Sequence, residues 1–237
     1  MVENPKPRPG ASKATTFLRV FLTVFLLVVI TSVLITYILP ESFVGTARIK
    51  SELPLSGAEP KSHRQTADPF FTQTEAEVIQ SEIVLGPVVE KLNLATEWGK
   101  RYAGGPALKP SDAVSFLRKS LIVRPVGKSA VIEIQAFSPK PEEAAMIANV
   151  IAETYRDFRI KSNLEISSNE PASSPTLVYP APSILEHATP GIVPARPNKA
   201  LNIALGASVG AVLGVLVAGA AVGFQSAMRG KRASRKA

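Results

Sequence analysis

The 237-residue chain is 46% apolar, 6% aromatic and 19% charged, and its net charge is +8. With no cysteine in it, a disulfide scaffold, a cysteine-ligated zinc site, an iron–sulfur cluster and a thiol nucleophile are all excluded. The basic pI of 9.8 would suit nucleic acid, but the charge lies in the wrong places for that: 18 bases balance 18 acids between Pro40 and Lys199, and the whole excess sits at the two ends beside apolar runs.

In chain order, a basic tail (1–19) with Lys6, Arg8, Lys13 and Arg19 comes first. Val20–Leu39 follows, twenty residues without a charge. That is the length a helix needs to cross the roughly 30 Å hydrocarbon core of a bilayer. A cleaved signal peptide has a shorter apolar region and a small-residue cleavage site. This run leaves through Tyr37-Ile38-Leu39-Pro40-Glu41, which has no such site, and therefore reads as an uncleaved anchor.

Residues 40–199 read as an α+β domain with a small mixed sheet and packed helices. Ser42–Ser51 alternates as a strand, with Phe43, Gly45, Ala47 and Ile49 on one face. Leu53–Pro69 reads as a loop. Thr72-Gln73-Thr74-Glu75 has the form of a capping box, and the helix it opens is expected to run to about Leu85, where Gly86-Pro87 interrupts it. A second short helix carries Val88, Val89 and Leu92. Trp98, near Lys100, Arg101 and Tyr102, reads as a loop anchor, with stacking on a sugar ring as the alternative. Ser111 opens a helix with Val114, Leu117 and Leu121 inward.

Leu121–Val126 and Ala130–Phe137 flank Gly127-Lys128 as a β-hairpin. Pro139 and Pro141 suit a first helical turn. The helix that follows places Ala144, Ala145, Ala148, Ile151, Ala152 and Tyr155 on one stripe and is expected to fade near Lys161–Glu165. Glu170–Pro182 is Pro- and Ser-rich, and a short strand, Ser183–Ala188, leads to Pro190, Pro194 and Pro197. These prolines fix φ near −65° and extend the residue before them, so they are expected to aim the domain relative to the spans.

Ala200–Phe224 is a second charge-free run, twenty-five residues long, followed by a basic tail (225–237). Gly206, Gly210 and Gly214 repeat every four residues in it, and Gly219 and Gly223 continue the spacing in a shifted register. Small residues at this interval let helix backbones approach closely in lipid. Lys and Arg concentrate on the cytoplasmic side of spans, so both termini are expected to be cytoplasmic and the domain outside.

Chemistry is sparse in this sequence. His63 falls in a predicted loop and His187 stands beside Glu186 in the last strand, with no H-x-x-x-H or H-E-x-x-H spacing. Neither a G-x-x-x-x-G-K-[ST] loop nor a G-x-G-x-x-G turn occurs. Glu142-Glu143 opens a helix, where acids favour the positive end of the dipole. No catalytic, cofactor-binding or metal residue is assigned, and neither enzymatic activity nor a nucleic-acid partner is expected.

Several stretches carry a resemblance. Phe43–Lys50 follows an anchor. Asp68-Pro-Phe-Phe-Thr-Gln-Thr-Glu-Ala-Glu-Val-Ile-Gln-Ser-Glu-Ile-Val-Leu85 follows a loop. Ile132–Asn149 passes from strand to helix, and Ala188-Thr-Pro-Gly-Ile-Val-Pro-Ala-Arg-Pro197 enters a glycine-rich span. In this order they resemble the polysaccharide co-polymerases, the Wzz-type chain-length determinants, over nearly the whole chain. The resemblance implies a bacterial inner-membrane scaffold that regulates chain length in a surface polysaccharide. It also implies a ring-like homo-oligomer acting on a polymerase and a lipid-linked glycan.

Larger members carry a long helical hairpin where this chain has only Ile160–Leu177, and only thirteen residues follow Phe224, too few for a fused kinase domain. The size is close to that of the short adaptors that partner a separate tyrosine kinase. The alternative expectation is therefore a transmembrane adaptor acting through Gln225–Ala237.

Overall fold

Apolar residues dominate Lys13–Ile38, and in the computed structural model they form one unbroken helix, α1. The structure describes residues 13–51, 69–169 and 180–234, without the side chains of 69, 165–169 and 229–234. At 1.5 Å per residue the 26 residues of α1 span about 39 Å. The other apolar run lies in α7, Lys199–Ser234, which reaches ten residues beyond Phe224. Both helices are long and apolar enough to cross a membrane. They form one compact unit of the chain, and Glu41–Ala195 forms the other.

The second unit begins with β1 (Phe43–Lys50), followed by α2 (Pro69–Ile79), α3 (Glu82–Lys91), α4 (Leu94–Tyr102) and α5 (Pro110–Lys119). Then come β2 (Leu121–Pro125), β3 (Val131–Ser138), α6 (Pro141–Asn169) and β4 (Ser183–Glu186). The four strands of the described residues form a sheet in the order β2-β3-β1-β4 that is antiparallel throughout, not mixed as expected. Gly127, at φ 59°, makes the β2–β3 turn, a conformation that costs glycine nothing.

One face of the sheet is apolar. Ala47 and Ile49 of β1 lie opposite Ile134 and Ile132 of β3, and all four are fully buried. The helix α6 covers them with the expected stripe of Ala144, Ala145, Ala148, Ile151, Ala152 and Tyr155. The alanines let α6 come close, and Gly45 lets it come closer still. A Cβ at Gly45 would lie 2.5 Å from backbone atoms of Ala144 and Ala145.

Several sequence-based readings moved. The break expected at Gly86-Pro87 falls instead at Gln80-Ser81, and Pro87 sits inside α3. A proline there removes one helical hydrogen bond, to the Ile83 carbonyl. Both residues are exposed, so water can satisfy that carbonyl, while Val84, Leu85, Val88 and Val89 on the other side are buried and hold the turn together. The capping box at Thr72–Glu75 is not one, because α2 starts earlier, at Pro69, and both side chains are buried within it. Pro110, not Ser111, opens α5, and Leu121 is buried as the first residue of β2 rather than as part of that helix. Trp98 is not a loop anchor but a buried residue of α4, which follows a left-handed Asn93 at φ 50°. Finally, α6 runs on to Asn169, and β4 stops at Glu186. Of the expected loops at 53–69 and 170–182, residues 53–68 and 170–179 lie outside the described residues, and Pro69 is the first residue of α2.

Candidate functional site

The glycine stripe has a partner, and the partner is α1 of the same chain. A Cβ at Gly206 would meet Ser32 Oγ at 2.3 Å and its Cβ at 2.4 Å, and one at Gly214 would meet Phe21 at 2.8 Å. At Gly210 the neighbours are Val28 at 3.3 Å and Phe25 at 3.4 Å. As α7 residue numbers rise, α1 residue numbers fall, so the helices are antiparallel. On α1 the facing residues recur at helical spacing, and the rings of Phe17, Phe21 and Phe25 stack along it with centroids 6.4 and 5.8 Å apart.

Ser32 also donates to the backbone carbonyl of Asn202 at 3.1 Å, and Thr36 donates to the Ser32 carbonyl at 2.7 Å. The Thr36 bond stays within α1; in lipid a bond between helices, such as that of Ser32, adds to close van der Waals packing. Gly219 and Gly223 do not continue the seam: among the described residues nothing lies within 4 Å of a Cβ at either. At the other end, Lys199 lies over the ring of Tyr37, 5.2 Å from its centroid. Lys and Tyr are the residue types that favour membrane–water boundaries.

In the α+β unit, Pro190 and Pro194 frame a loop without a charge from Ala188 to Ala195. The loop is fastened to the fold at three points. Asn149 on α6 clamps Ala188, accepting from its N–H at 2.7 Å and donating to its carbonyl at 3.0 Å. Gly191 lies so close to β1 that a Cβ there would stand 3.2 Å from the Val44 carbonyl. Ala195 N–H donates to the Ser42 carbonyl at 2.8 Å. The chain therefore enters and leaves this unit side by side. Pro197 follows in the other unit, after a cis peptide bond.

The other face of the sheet carries a row of charges that sequence reading did not assemble. Arg124 of β2, Glu133 of β3, Arg48 of β1 and Glu186 of β4 stand opposite one another in register. Glu133 accepts from Arg124 Nη2 at 2.9 Å, Arg48 Nη2 at 3.1 Å and Gln135 Nε2 at 3.0 Å. Arg48 Nη1 continues to Glu186 at 3.1 Å. Burial pushes the Glu133 carboxyl up, but hydrogen bonds and charge from the two arginines outweigh it and hold the carboxyl below its ordinary range. Alternation of sign across strands is the signal, and it becomes readable only once the register is known.

Two further carboxylates turn inward. Glu143 stands in the first turn of α6, as expected, and also gathers three elements. It accepts from Trp98 Nε1 at 3.0 Å, Arg101 Nη1 at 2.7 Å and Ser138 Oγ at 2.7 Å. Its carboxyl is raised by burial and lowered further by these donors, for a net depression. Glu75 of α2 is bonded to Tyr155 and Arg159 of α6, the latter through Nε at 2.9 Å and a second contact. Ser51 Oγ lies 3.2 Å from the Tyr155 hydroxyl. Burial first and then the Glu75 carboxylate push the Tyr155 hydroxyl up to about 12.

Each of these carboxylates is committed to at least one guanidinium, so they act as ties between elements. No group of three or more metal-ligating side chains occurs among the described residues. His187 follows β4 and is exposed; His63 lies outside the described residues. Trp98, buried and bonded to Glu143, presents no face to a sugar. No protein-family model and no curated protein matches this chain.

Proposed function

We propose that this protein is a two-pass membrane scaffold whose α+β unit stands outside the cytoplasm and regulates the chain length of a bacterial surface polysaccharide. The observation that carries the membrane part is the glycine seam, at which two apolar helices pack antiparallel as a hairpin. A helix pair that uses glycine contact and satisfied Ser and Thr hydroxyls is built for a solvent in which burial of apolar surface gives no drive. The basic segments at 6–19 and 229–236 favour cytoplasmic termini.

The polysaccharide part rests on the resemblance of Phe43–Lys50, Asp68–Leu85, Ile132–Asn149 and Ala188–Pro197 to the Wzz-type chain-length determinants. On that reading the protein sits in the inner membrane and acts as a ring of several copies on a polymerase and its lipid-linked glycan. The test is a deletion in the cell that encodes the protein, followed by electrophoresis of the surface glycan. The expected outcome is a changed length distribution with glycan still made, restored by the wild-type gene. An unchanged distribution overturns the reading.

One observation favours the adaptor reading beside it. The helix α7 continues through Gln225–Ser234, so the basic stretch after the apolar run is helical. On this reading the segment 225–237 is what a cytoplasmic kinase contacts. Removing 225–237 would then abolish phosphorylation of that kinase and leave the α+β unit folded.

A further inference from the structure

Ile192 is 96% exposed and Val193 73% exposed. Two adjacent β-branched side chains in water are a cost that a soluble surface ordinarily avoids in so rigid a setting. Here the setting is rigid: Asn149 holds one end of the loop, Ser42 the other, and Gly191 lies against the Val44 carbonyl. Pro190 and Pro194 flank the tip and each removes a backbone N–H, which lowers the cost of leaving water. The stretch Ala188–Ala195 has no charge, and Arg196 and Lys199 follow it at once.

We infer that the Ile192–Val193 tip is a membrane anchor, inserted among lipid headgroups and the first acyl carbons of the outer leaflet. This inference rests on the membrane reading above. Chain reach argues for lipid over any other partner. Lys199 is six residue steps along the chain from Val193, so the tip lies within about 20 Å of the first turn of α7, however the two units are oriented. The Tyr37–Lys199 pair marks where that helix pair suits the membrane boundary. The polar layer outside the hydrocarbon is itself several ångströms deep. A neutral apolar tip followed by two bases matches that boundary, with aliphatic groups toward the acyl chains and cations toward lipid phosphates.

The absence of cysteine makes the test direct. Nitroxide labels are placed one at a time at Ile192→Cys, Val193→Cys, Ile30→Cys and Lys128→Cys in the full-length protein. Each variant is reconstituted into vesicles of phosphatidylcholine and phosphatidylglycerol in equal parts. Relaxation by oxygen, which partitions into lipid, is compared with relaxation by a nickel chelate present on both sides. Position 30 lies in the apolar run and is 55% exposed on α1, so it reports on the spans. Position 128 lies in the β2–β3 turn and reports on water.

The expected result at 192 and 193 is strong oxygen relaxation with loss of most of the nickel relaxation seen at 128. Nickel relaxation at 192 equal to that at 128, with 30 still protected, overturns the anchor and leaves the spans standing. Protection from both reagents at 192 and 193 would mean burial against a second copy and also overturns it. Nickel access at 30 would overturn the membrane reading itself.

Discussion

Gly45 shows how one residue sets the spacing of a layer. It lies mid-strand, where glycine is intrinsically unfavourable, yet backbone atoms of Ala144 and Ala145 come within 2.5 Å of where a Cβ would be. Those atoms belong to the first turn of α6 and cannot swing away as a side chain would. Gly45→Ala should therefore lower stability by about 1–3 kcal/mol, the usual cost of overpacking. Trp98, the single tryptophan and a buried one, reports unfolding of the detergent-solubilised protein in urea. An unchanged midpoint would show that α6 yields freely. Tyr155 makes a second residue-scale prediction. Its hydroxyl is raised by burial and Glu75 from the usual 10 to about 12, so the folded state favours the neutral form. That stabilisation is fully present below about pH 10 and is lost as pH rises to about 12. The unfolding midpoint should fall across that window, and less steeply in Tyr155→Phe. Equal slopes would remove Tyr155 from the account. Glu133 and Glu143, both depressed, act with the opposite sign: their stabilisation is present above the ordinary carboxylate range and lost in acid.

The helix α3 holds its shape against its own composition. Gly86 and Pro87 are poor helix formers, but the buried stripe of Val84, Leu85, Val88 and Val89 outweighs them. Pro87 is exposed, and a Cβ at Gly86 would meet nothing within 4 Å. Replacing both with alanine should consequently raise stability by about 1–3 kcal/mol, read as a higher urea midpoint. A lower midpoint would show that the proline serves the fold. The apolar hairpin invites a different test. A Cβ on Gly210 would stand 3.3 Å from that of Val28, close to the roughly 3.5–4.5 Å of a disulfide. Val28→Cys with Gly210→Cys should oxidise within one chain, whereas Val28→Cys with Gly223→Cys should not. Dominant cross-linking between two chains would mean that the seam joins copies rather than the two helices of one protein.

At the scale of the whole molecule, the chain is an α+β unit whose two ends meet at Ser42 and Ala195 and continue into a pair of apolar helices. The proposed topology predicts that a cysteine at Lys128 is labelled by an impermeant maleimide in cells whose outer barrier is opened. One at Ser226, past the second apolar run, should be labelled only after the cytoplasm is exposed. The reverse pattern would invert the topology and place the α+β unit inside.

Composition and periodicity alone determined a good part of this protein. Two charge-free runs of twenty and twenty-five residues specified the apolar helices, because apolar length is a local property. The alternation of Phe43–Lys50, the Gly127 turn and the stripe from Ala144 to Tyr155 were legible for the same reason: each is a short-range pattern with one dominant period. What the sequence left open depended on partners far away in the chain. The break at Gln80-Ser81 instead of Gly86-Pro87 followed from burial of a stripe that propensity cannot weigh. Glu75 and Glu143 read only as acids at helix starts, and Glu133 was not singled out, until the fold brought Arg159, Arg101, Arg48 and Arg124 to them. The glycine spacing announced a close helix contact but not its partner, since spacing describes one surface. Only the tertiary structure could supply the other, a face of α1 roughly 180 residues earlier, because helix pairing is settled by the fit of two surfaces and neither contains it alone.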